Sequence, residues 1–152
     1  MGGRQPEYSS AAHRPAAAHE GARAVVRFQT ARGTFDGMLN GTPIATALLR
    51  HLPLTSTARR WGEEIYFDVP VQMPNTQPTL EVQVGDLAYW PEGPCLCIFF
   101  GKTPVSRGRE PRPASAVTVV GHTAAPVALL RSIADGNPIV VAHASPPQDQ
   151  TV

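Results

Sequence analysis

The stretch RRWGEEIYFDVP, Arg59 to Pro70, decides how the rest of the chain is read. From Glu63 to Val71 it alternates: Ile65, Phe67 and Val69 fall on one face of an extended backbone, and Glu64, Tyr66 and Asp68 fall on the other. This is a strand with one face for a core. The two adjacent carboxylates take opposite faces, so Glu63 and Glu64 are not a two-carboxylate hydrolytic pair. Parity places Glu64 with Tyr66 and Glu63 with the apolar set, unless a bulge at Gly62 shifts the register by one residue. Each carboxylate has two readings: an ion-paired or solvated group near Arg59 or Arg60, or a ligand-facing acceptor or proton carrier.

Outward from this strand the same periodicity recurs. RAVVRFQTARGTFDGML reads as an opening hairpin that turns near Ala31 to Gly33. NGTPIATALLRHLP reads as a helix with Thr42 as N-cap, Pro43 at its first position, apolar Ile44, Ala47, Leu48 and Leu52, and an end before Pro53. TLEVQVGDLAYW alternates Leu80, Val82 and Val84 against Glu81 and Gln83, so two strands are expected to flank Gly85 and Asp86. CLCIFFG is apolar on both faces and is the candidate central strand. After the Pro- and Arg-rich loop KTPVSRGREPRPAS come a strand at AVTVVG, a second helix within APVALLRSIADGNP and a last strand at IVVAHA. About eight short strands and two short helices favour a mainly β fold, a closed or nearly closed antiparallel barrel plugged by helices.

The chain has 152 residues and 42% hydrophobic content, which suits one packed domain. We expect a disordered tail over 1–23, the barrel domain over 24–144 and a disordered tail over 145–152. Thirteen basic and twelve acidic side chains leave a net charge of +1, too little to draw in nucleic acid or anionic lipid. No segment has the apolar run of a signal peptide or membrane span, so a cytoplasmic location without membrane partners is expected. Cys95 and Cys97 share a face two residues apart and read as buried reduced thiols. The five histidines are scattered, and no metal or other cofactor is expected. No nucleophile elbow or phosphate-binding glycine loop is present, which leaves hydrolase and nucleotidase readings without support.

Three stretches concentrate Trp, Tyr, Gly, Pro and carboxylate: WGEEIYF, GDLAYWPEGP and FFGKTP. If they converge they line one pocket, with Trp61, Tyr66, Tyr89 and Trp90 offering wide apolar faces with polar tips. The alternative use of each aromatic is to cap the barrel core. Thr103, after the central strand, either presents a hydroxyl at the rim or belongs to a plain turn. Lys102, Arg107, Arg109 and Arg112 make the next loop basic, without the interleaved aromatics of a nucleic-acid surface.

Together these stretches resemble the small bacterial and archaeal cyclophilin-like domain family, cyclophilin-fold proteins of unknown function. The residues that carry the likeness are Trp61 to Glu64, Tyr66 and Phe67; Gly85, Asp86, Tyr89, Trp90, Pro91 and Gly93; Phe99 to Gly101, Thr103 and Pro104; and Pro113 to Ser115. The likeness runs from about Val25 to Ala144 and implies a closed eight-stranded barrel capped by two helices. It does not by itself confer an activity. True cyclophilins isomerise peptidyl-prolyl bonds with an arginine on a barrel strand, whereas EEIYFDVPVQM, the segment placed there, holds acids and no arginine. The expected function is binding of a small molecule or short peptide by Trp61, Glu63, Glu64, Tyr66, Tyr89, Trp90, Phe100 and Thr103, with no assigned catalytic residue. A prolyl isomerase with an altered groove is the enzyme alternative, and an interaction module, homo-oligomeric or not, is the third reading.

Overall fold

The computed structural model describes residues 22–144, so the two expected tails fall almost wholly outside the described residues. In chain order the elements are β1 (Ala24–Thr30), β2 (Gly33–Leu39), α1 (Pro43–Arg50), β3 (Leu54–Thr57), β4 (Arg59–Arg60) and β5 (Glu64–Asp68). They continue with β6 (Asp86–Trp90), β7 (Cys95–Phe99), β8 (Thr118–Thr123), α2 (Val127–Ser132) and β9 (Pro138–His143). One sheet takes the order β3, β9, β1, β2, β8, β6, β7, β5, β4, antiparallel throughout.

Its two edge strands are consecutive in the chain, and that closes the barrel. Leu54 to Arg60 runs first along β9, then switches partner at the fully buried Ala58 and runs along β5. Ala58 stays satisfied at the switch, donating to the carbonyl of Asn137 and accepting from Gly136, both at 2.8 Å. Across the remaining gap the Ser56 hydroxyl donates to the carbonyl of Asp68 at 2.9 Å.

The expected barrel is therefore present, with nine strands among the described residues where eight were expected. Two local readings account for the difference. The segment LTSTARR has too little apolar alternation to mark it as a strand, and its pairing first with β9 and then with β5 makes it one. The segment around Leu80 to Val84 is not a strand. Val82 is buried but Leu80 and Val84 are exposed, and the chain turns through Gly85 at φ 95° with the Asp86 carboxylate accepting from the amide of Gln83 at 2.9 Å. That alternation covers a sheet face from outside and does not extend the sheet.

The helices follow their caps. Thr42 accepts from the amide of Ala45 at 3.4 Å, Pro43 opens α1, and Ile44, Ala45 and Leu48 are buried. The second helix is shorter than its apolar run suggests, one and a half turns after Pro126 with Leu130 buried.

Burial divides the side chains into two sets. The main core fills the barrel with Phe28, Phe67, Tyr89, Ile65, Leu96 and Ile98 among others. The other face of β5, β6, β7 and β8 carries a smaller cluster of Val82, Ala88, Cys95, Cys97, Phe99, Val117 and Val119, with Tyr66 and Trp90 packed on it. All five residues of β7 are consequently buried, as the two-sided apolar pattern of CLCIF requires.

The close pairing of β2 and β8 depends on a glycine, since a Cβ on Gly121 would collide with the carbonyl of Met38. Gly121→Ala should cost about 2 kcal/mol in urea unfolding at unchanged m-value, the scale of overpacking at a site that cannot yield. An unchanged midpoint would contradict this register.

Candidate functional site

The outer cluster does not fill its own space. A cavity of about 200 Å³ lies between the outer face of the sheet and the loop that precedes β8. Trp61, Glu64 and Tyr66 wall it from β5 and its entry turn, Cys97 and Trp90 come from β7 and β6, and Pro113, Ala114 and Val117 come from the loop.

Local structure puts Glu64 there. Gly62 holds φ 60°, and a Cβ at this position would press against the backbone of Lys102 and Thr103. The tight turn it allows is closed by the amide of Trp61, which donates to the carbonyl of Glu64 at 3.0 Å. β5 then begins at Glu64, paired with Phe99 of β7, while Tyr66 pairs with Cys97. All four side chains share the outer face, so the Cys97 thiol comes within hydrogen-bond reach of the Glu64 carboxylate.

Glu64 is only 6% exposed, and among the described residues it pairs with no cation. Burial pushes its carboxyl up to about 7, and the hydrogen bond from Cys97 offsets part of that. The fully buried Cys97 thiol is itself pushed well up, by desolvation and then by Glu64, so it stays protonated as the donor.

Glu63 goes elsewhere. Its carboxylate takes a two-pronged ion pair from Arg131 of α2, at 2.8 and 2.9 Å, and this partner holds it below the ordinary carboxylate range. Its backbone continues the sheet, donating to Lys102 and accepting from Phe100 at 2.8 and 2.9 Å. Arg60 donates to the carbonyls of Gly62, Arg131 and Ile133 and lies over the Phe100 ring at 5.1 Å. Arg59 binds Asp68 at 2.6 Å and covers one face of Tyr66, 4.9 Å from its centroid.

Of the eight residues expected in one pocket, the fold brings together Trp61, Glu64, Tyr66 and Trp90. Tyr89 and Phe100 lie in the barrel core instead. Tyr89 and Trp90 are neighbours in one strand and must take opposite faces, so only one of them can line an outer cavity. The Tyr89 hydroxyl donates to the carbonyl of Val71 at 2.7 Å and accepts from the amide of Met73 at 3.0 Å. Thr103 is buried beside the turn, where it donates to the carbonyl of Arg112 at 2.6 Å and fixes the loop that leads to Pro113. Trp90 fixes the other side of that loop, its indole N–H donating to Ser115 at 2.7 Å and Ser115 to Glu92 at 2.9 Å.

Cys97 was missed as a wall residue, although its place opposite Tyr66 in the parity of two adjacent strands could have found it. Pro113, Ala114 and Val117 reach the cavity through loop geometry that no periodicity records. Both cysteines are free and buried, and Cys95 donates weakly to Asp68 at 3.5 Å, with burial and that carboxylate pushing its thiol up to about 11. Among the described residues no three His, Cys, Asp or Glu side chains are grouped as metal ligands. No helix among them is long and apolar enough to cross a membrane.

The Glu64 carboxyl links stability to pH. Between its ordinary value of 4.5 and its folded value of about 7 the native state holds a proton that the unfolded chain has lost. Its contribution is therefore fully present below 4.5, declines as pH rises and is gone above about 7. Glu64→Gln should raise stability by about 1–3 kcal/mol near pH 8 and change little near pH 4, read by urea unfolding across pH. Equal effects at both pH values would contradict a buried, proton-holding Glu64.

Residues 24–142 match a family model described as cyclophilin-like. The solution structure of a hypothetical protein from Archaeoglobus fulgidus is similar to this one at 37% identity with a TM-score of 0.68, over 82% of this chain and 98% of that one. No curated protein matches the chain. The matched residues reach into each of the nine strands and include the turn at Gly62 and the walls of the cavity, and the chain belongs to the cyclophilin-like family.

Proposed function

We propose that the protein binds a small molecule, or one side chain of a short peptide, in the cavity around Glu64. The observation that carries this reading is a buried carboxyl on the wall of an apolar cavity, paired with no cation among the described residues. Such a group weakens the fold at neutral pH, and packing alone would be served better by an apolar side chain. A few convergent polar atoms in an apolar concave site are what a binding pocket needs for orientation. Trp61, Tyr66 and Trp90 would supply contact area, and Glu64 would face a donor on the ligand.

The size supports a small guest. A cavity of about 200 Å³ is below the range that encloses a drug-sized ligand, ~300–1,000 Å³, and suits a ring or a single side chain. A reading as prolyl isomerase needs a cation to bond the twisting peptide, and no arginine among the described residues lines the wall. Arg59, Arg60 and Arg131 are each occupied by a carboxylate or by backbone carbonyls.

The test is an NMR screen of small fragments and blocked Xaa-Pro peptides, following the indole N–H resonances of Trp61 and Trp90 together with peptide cis/trans exchange. Fragments should shift the indoles in a saturable way without accelerating exchange, and Trp61→Ala should weaken each bound fragment about tenfold in a folded protein. Accelerated exchange would favour the isomerase. Indoles unmoved by every compound would remove the pocket reading.

A further inference from the structure

We infer that the cavity receives an organic cation, an alkylammonium head with at least one N–H, set against Glu64 and covered by Trp61 and Trp90. The inference rests on the binding reading above and narrows it to one ligand chemistry.

Three features of the wall point the same way. Aromatic faces are negative and attract a cation while offering nothing to an anion, which Glu64 would also repel. A purely apolar guest would leave the carboxyl with no use for its remaining acceptor positions, since Cys97 supplies one weak donor and a carboxylate has about four lone-pair sites. The complementary charge is also absent from the protein side, because among the described residues no Lys, Arg or His lines the cavity.

Facing Glu64, β7 contributes the Cys97 thiol, β6 contributes Trp90, and the loop contributes Pro113, Ala114 and Val117, none of them charged. On its own strand the titratable neighbour is the Tyr66 phenol. The guanidinium of Arg59 in β4 stands over the Tyr66 ring and is neutralised by Asp68 at 2.6 Å. That cation occupies one face of Tyr66, whereas among the described residues no cation stands over Trp61 or Trp90.

A captured ammonium would favour the ionised carboxylate, so binding should strengthen as pH rises through about 7, with a proton released on uptake. A free amine and a methylated lysine side chain present the same head, and the probes below tell them apart.

The experiment titrates the full chain with dimethylaminoethanol, its neutral isostere isoamyl alcohol, choline, which lacks the N–H, and blocked dimethyllysine, following the tryptophan indole resonances near pH 8 and near pH 5. We expect dimethylaminoethanol to bind about tenfold more tightly than isoamyl alcohol near pH 8 and to lose that advantage near pH 5. Choline should fall between them. Glu64→Gln should keep the isoamyl alcohol affinity and abolish the preference, and the wild-type pH series decides the question should that variant misfold. Blocked dimethyllysine binding as tightly as the free amine supports a protein side chain as the source, and binding of the free amine alone supports a small metabolite. Isoamyl alcohol binding as well as the amine at both pH values would overturn the cation inference while leaving the pocket reading in place. No shift with any of the four would overturn both.

Discussion

β7 has to be dry on both faces, and most of the architecture follows from that requirement. Leu96 and Ile98 enter the barrel, so the barrel must close around them. Cys95, Cys97 and Phe99 point the other way, so something outside the barrel must cover them. The chain meets the second demand with two segments of little regular structure, the one bearing Val82 and the one that brings Pro113 to Val117. Loops cover a sheet less completely than a second layer would, and the space left between them and β5 is the cavity. The candidate site is thus a consequence of covering one strand from outside.

Closure of the barrel rests on a separate device. Leu54 to Arg60 serves as both edges of the sheet by changing partners at Ala58. Among the described residues this leaves no long unpaired strand edge for another chain to join. It also brings Arg60 onto the carbonyls at the end of α2 and over Phe100, tying the second helix to the turn at Gly62 that starts β5. Contacts on the far side of the same turn thus help to position the Glu64 wall.

Local alternation made much of this legible. The parity of EIYFDV places Glu64 and Tyr66 outside and Ile65 and Phe67 inside, and the folded chain keeps it. The opening hairpin, the Thr42 and Pro43 start of α1 and the double-sided β7 follow from equally local rules. What local rules missed is instructive. Leu80 to Val84 alternates like a strand, but a lone apolar residue reaching down from a loop produces the same pattern over so short a span. Leu54 to Thr57 becomes strand through a partner distant in sequence, β9. Within the site, strand parity separates Tyr89 and Phe100 from the other expected residues, since both face the barrel core. The loop contributions of Pro113, Ala114 and Val117 depend on tertiary folding and carry no periodic signal, although Pro113 and Ala114 lie among the residues that mark the family resemblance.

The central claim is that Glu64 is a buried, proton-holding carboxyl on the cavity wall. Its most direct test is a pH titration of the glutamate side-chain carboxyl carbons by NMR, with Glu64 assigned through Glu64→Gln. The account predicts a Glu64 midpoint at about 7, well above a Glu63 held below 4.5 by Arg131. A Glu64 midpoint near 4.5 would mean that the carboxylate reaches water or a cation and that the cavity is not the apolar, acid-bearing site described.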